Sequence, residues 1–101
     1  MSVVVVATFL PVEGKRDEVV AALEVAAQSA HAEDGCELYA IHTGRDRVVL
    51  IEKYADMDAL TSHGATPALA DLVTALDGLL QGGMDLQILR PSPTGGAKGA
   101  L

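Results

Sequence analysis

A chain of 101 residues, 50% apolar but with only three aromatics, has material for one domain whose core is Val, Leu, Ile and Ala. Fourteen acidic residues against seven basic ones leave a net charge of −7, which weighs against nucleic acid and anionic membrane as partners. The lone Cys36 forms no internal disulfide, as expected of a protein kept in a reducing cytoplasm.

The opening stretch MSVVVVATFLP lacks a basic leader region and a small-residue cleavage site. It also falls far short of the about 20 apolar residues that a membrane span needs. Its β-branched run, Val3 to Leu10, predicts a first strand stopped by Pro11. Gly14 opens a helix within Lys15 to Ala32, in which Val19, Leu23, Ala26 and Ala30 recur at helical spacing. Asp17 and Glu18 suit the positive end of its dipole, and Glu33-Asp34-Gly35 ends it.

Cys36 to Thr43 and Arg47 to Ala55 then predict a hairpin around Gly44-Arg45-Asp46. Asp56 caps a short helix through Ser62. Thr66 and Pro67 start another, with Leu69, Leu72, Val73, Leu76 and Leu80 as its stripe and Gly82-Gly83 as its stop. Met84 to Arg90 is a fourth strand. The domain thus runs over 1–91, and PSPTGGAKGAL has the composition of a flexible tail over 92–101.

The order β-α-β-β-α-β is the ferredoxin-like plan, an α+β fold with helices on one face of an antiparallel sheet. A monomer of that kind should alternate apolar and polar along each strand. Here Val3, Val5, Ala7 and Phe9 face one side of strand one while Val4, Val6 and Leu10 face the other, and Val48 and Leu50 oppose Val49 and Ile51. Two apolar faces need two covers. The helices supply one, and a second copy of the sheet, in a two-fold homodimer, is expected to supply the other. The tail is expected to lie along that partner or a neighbouring dimer, because its composition does not order itself.

No GxGxxG, no GxxxxGK[ST], no CxxC and no HExxH is present, so nothing local supports a dinucleotide, nucleotide or metal site. His31 ends the first helix, where a structural role at the helix C-terminus is expected. His42 ends strand two, at a rim or in solvent. His63, between Ser62 and Gly64-Ala65, has two readings: a loop histidine between helices, or a proton-transfer group with space around it. Glu52 is open to three: a solvated edge, an ion pair, or a pocket acid. Tyr39 and Tyr54 read as amphipathic core residues. A three-residue hairpin loop pairs Tyr39 with Ile51, whereas a two- or four-residue loop sets Tyr39 beside Glu52 and Tyr54.

Gly14-Lys15 at the first helix, Glu33-Asp34-Gly35-Cys36-Glu37-Leu38-Tyr39, Glu52-Lys53-Tyr54, and Asp58-Ala59-Leu60 followed by His63 together resemble the antibiotic biosynthesis monooxygenase family. The resemblance spans Val3 to Pro91. It implies a dimeric α+β barrel with a pocket between each subunit's sheet and helices. It also implies a cofactor-independent monooxygenase of a small quinol-like or phenolic aromatic, with dioxygen as co-substrate and no metal. His63 then stands as the base, with Tyr39, Glu52 and Tyr54 as substrate-binding or orienting groups. The chain has no Trp and no Asn. It therefore lacks residues on which the haem-degrading and polyketide-oxidising branches rely, and Val73 stands where the former places a histidine ligand. A non-oxidative isomerase and a non-catalytic ligand-binding or stress-response barrel are the alternatives.

Overall fold

The computed structural model describes residues 1–101. Strands β1 (Val3–Phe9), β2 (Cys36–Thr43), β3 (Val48–Tyr54) and β4 (Asp85–Leu89) form one antiparallel sheet in the order β2-β3-β1-β4. Helices α1 (Arg16–His31), α2 (Met57–Gly64) and α3 (Pro67–Ala75) connect them. This is the ferredoxin-like α+β plan, with the second crossover divided into two helices.

The period-2 pattern places Val5, Ala7 and Phe9 of β1 and Val48, Leu50, Glu52 and Tyr54 of β3 toward the helices, and all seven are buried. Val19, Leu23, Ala26, Ala27 and Ala30 of α1 close over them, joined by Leu72 and Leu76. Small alanines let α1 lie close to the sheet, so a core with only three aromatics, Phe9, Tyr39 and Tyr54, still packs tightly. On the opposite face Val6, Val49 and Ile51 are only half-buried and Leu89 is exposed.

The hairpin settles the open register. Thr43 pairs with Val48 around a four-residue turn, so Tyr39 sits opposite Glu52 on the helix side. A bulge between Cys36 and Leu38 then returns Cys36 to a place opposite Tyr54. Before β2, Gly35 fits tightly against α2. A Cβ added to it would stand 2.4 Å from Ala59 Cβ.

One element is shorter than its apolar periodicity predicts. α3 stops at Ala75 rather than running to Gly82, because the chain turns at Gly78 in a left-handed conformation, φ 78°. Leu79 and Leu80 leave the helix to dock on the end of β1, where Val12 N donates to Leu79 O and Gln81 N to Leu10 O. The tail touches its own chain. It turns through Ala97–Gly99, and Lys53 Nζ donates to the carbonyl of Leu101 at 2.8 Å.

Candidate active site

α2 carries His63 to the sheet. Asp56 accepts from Ala59 N at 2.8 Å to cap the helix start, and Thr66 Oγ1 donates to the carbonyl of His63 at 2.8 Å just past its end. Both ends fixed, the imidazole turns inward and is buried. His63 Nδ1 lies 3.0 Å from both carboxyl oxygens of Glu33, so Nδ1–H donates to that carboxylate. His63 Nε2 points the other way, 3.6 Å from Glu52 Oε1, too far for a hydrogen bond.

Glu52 is buried and accepts a hydrogen bond from the Tyr54 hydroxyl at 2.5 Å. Burial raises its carboxyl above the ordinary value of 4.5, and the Tyr54 hydroxyl and the neighbouring His63 only partly offset this. The Tyr54 and Tyr39 phenols are pushed up as well, chiefly by burial and then by the Glu52 charge, so both remain hydrogen-bond donors. The ring centroids of Tyr54 and Tyr39 lie 5.1 and 5.9 Å from that of His63.

Beside this cluster opens a cavity of about 250 Å³, lined by apolar side chains except for Tyr39, Glu52 and His63. Its volume lies just under the range of about 300–1,000 Å³ usual for drug-sized ligands, so it suits one substituted aromatic ring. Val5, Ala7 and Leu50 form its floor, and Leu72 and Val73 its roof.

The four residues singled out in the sequence thus meet at one place, with different parts. His63, Glu52 and Tyr39 face the cavity. Tyr54, fully buried, does not reach it and instead holds Glu52. His31 lies outside the cluster, its Nε2 3.0 Å from the carbonyl of Tyr39, and ties α1 to β2. His42 is exposed on the far face of the sheet. Glu33 was missed. It reads as a helix end, and only its place in the Glu33–Tyr39 motif hinted that it matters.

Cys36 sits behind the cluster, its thiol pKa raised by burial, and donates weakly to the Leu38 carbonyl at 3.5 Å. That is the environment of a structural thiol rather than a nucleophile. Glu33 holds Nδ1 of His63 while Glu52 only faces Nε2, and no group of three His, Cys, Asp or Glu side chains is arranged to hold a metal ion.

The family model described as antibiotic biosynthesis monooxygenase matches residues 2–75. Among solved structures, Rv0793 from Mycobacterium tuberculosis superposes with a TM-score of 0.86 at 27% identity, covering 93% of this chain and 98% of its own. SO0527 from Shewanella oneidensis gives 0.81 at 28% identity, over 87% of this chain and 88% of that one. A Caulobacter crescentus protein provisionally named an antibiotic biosynthesis monooxygenase gives 0.78 at 28% identity, over 87% of each chain. No curated protein matches.

Proposed function

The chain belongs to the antibiotic biosynthesis monooxygenase family, and from that premise we propose that it oxygenates a small quinol-like or phenolic aromatic without a cofactor, with His63 as general base. The observation that carries this reading is the His63 imidazole, clamped by Glu33 at the polar end of an apolar cavity. With Nδ1–H committed to Glu33, the lone pair on Nε2 is free to take a proton from a substrate hydroxyl.

The quinolate so formed is electron-rich enough to pass an electron to dioxygen. Recombination forms a C–O bond, and loss of water leaves a hydroxyquinone. One oxygen atom enters the product and the other leaves as water, with both electrons for that water drawn from the quinol. His63 removes the proton and returns it to the departing oxygen. Glu52 stabilises the imidazolium, and the Tyr39 hydroxyl donates to the developing oxyanion. The apolar lining excludes bulk water from the intermediate.

The half-buried outer face of the sheet supports a homodimer joined through Val49 and Ile51. The free thiol at Cys36 supports a cytoplasmic setting. No helix is long and apolar enough to cross a membrane.

The test is dioxygen uptake by chelator-treated protein over a panel of catechols and hydroquinones, with His63→Ala alongside. Uptake above the autoxidation blank and lost in the variant supports the proposal. Equal rates in blank, wild type and variant would transfer the cavity to an isomerase or a non-catalytic binding barrel, since a fold shared with oxygenases does not confer oxygenation.

A further inference from the structure

The cavity is polarised along the sheet. Tyr39 on β2 and Glu52 on β3 are opposite one another, and His63 reaches them from α2, so all three polar groups stand at one end. β1 and β4 contribute only Val5, Ala7, Phe9, Leu86 and Ile88. From β3 to β4 is two strand spacings, or about 10 Å, with no polar side chain facing the cavity along the way. The β4 end opens to solvent through a lip of Val73, Leu86 and Ile88, which are 52%, 52% and 61% exposed. No Lys or Arg lines the cavity, while Glu52 faces it and Glu33 lies behind His63.

We propose that the site selects an uncharged aromatic whose two hydroxyls are adjacent, a catechol-type head, with a hydrocarbon chain that leaves over the Val73–Leu86–Ile88 lip. This names the substrate class for the cavity taken above as the oxygenation site. Adjacent hydroxyls meet His63 and Glu52 together. A para-diol would put its second hydroxyl across the ring among Leu50, Val5 and Leu72, where it finds no partner and loses about tenfold or more in affinity. A carboxylate on the ligand finds no cation and faces two acidic residues. The lip goes to the ligand's chain because it continues the cavity wall without a break and belongs to the helix side of the sheet, away from the face assigned to the dimer.

Anaerobic equilibrium binding tests this without turnover, using butylcatechol, its isomer butylhydroquinone, methylcatechol, and a catechol carrying a propionate. Butylcatechol is expected to bind at least about tenfold more tightly than butylhydroquinone. The propionate should bind weakest, with Glu52→Gln narrowing its deficit. Ile88→Ser at the exposed lip should erase the advantage of butyl over methyl. Equal or tighter binding of butylhydroquinone or the propionate overturns the proposal, as does failure of every probe to bind. An Ile88→Ser variant that keeps the butyl advantage but splits a dimer would give the lip to a second copy and overturn it too. Dioxygen uptake with para-quinols alone would keep the oxygenase reading and sink this one. Tight butylcatechol binding without any uptake would do the reverse.

Discussion

At the scale of single residues, the weight of the site falls on carboxylates placed on either side of one imidazole. Glu33→Gln should turn His63 around electronically. An amide N–H directed at Nδ1 favours the tautomer protonated on Nε2, which cannot act as a base. Nitrogen NMR of the imidazole should show that switch, and turnover on any accepted substrate should fall by about tenfold or more. Glu33→Asp, which keeps the acceptor, should restore part of both. Glu52 gives a second prediction, in stability. Its carboxyl is raised in the folded state, so the folded protein holds that proton more tightly than the unfolded chain does. Stability from this group is therefore fully present below about 4.5 and is lost as pH rises through the raised value. Glu52→Gln should accordingly gain in Tm relative to wild type at pH 7 compared with pH 4, as thermal melts would show. Tyr54→Phe should cost about 1–2 kcal/mol by removing the buried donor to Glu52. Residue chemistry alone left His63, Glu52 and the two tyrosines with ordinary readings, and it was the resemblance in the motifs around them that gathered the four as one candidate site. Glu33 was not among them, because an acidic residue at a helix end has an ordinary explanation and its partner lies thirty positions away.

At the scale of elements, local signals held wherever the chain's own chemistry fixes a boundary. Asp56, Thr66 and Pro67 start their helices where cap preferences say, and β2 has the expected limits. The register of the hairpin was open because turn length is a matter of one residue, and the bulge near Glu37 has no signature in the sequence. α3 ran long in the reading because Leu80 continues the helical stripe by accident, while Gly78 turns the chain out to meet β1. Thr66 serves two elements, capping α3 and gripping the last turn of α2. Thr66→Ala should therefore cost about 1 kcal/mol in a denaturant titration. It should also lower turnover more than a remote substitution of equal cost, because His63 loses its anchor.

At the scale of the whole molecule, the sheet carries two different surfaces. One is covered by the helices and holds the cavity. The other presents Val6, Val49 and Ile51 around Lys53, whose ammonium contacts Glu37 at 3.9 Å and the Leu101 carbonyl. That second surface was legible from strand alternation alone, since runs such as Val3 to Val6 leave no polar face. If it joins two copies, Ile51→Lys should convert the protein to a monomer in sedimentation experiments while the melting cooperativity of the fold is kept. The depth of the cavity was beyond the sequence, because it depends on how closely α2 and α3 approach the sheet.

That approach leaves a trace of a different kind at Gly35. The missing methyl group there is what lets Ala59, and with it α2, come down onto the turn before β2. Positions 35 and 59 share one allotment of volume, so they are bound to change together across descendants of this chain. Gly35→Ala should lift α2 and part His63 from Glu33 without altering either residue, and Gly35→Ala with Ala59→Gly should bring them back. A crossed pair of variants, scored by the imidazole signal, would read this inheritance directly.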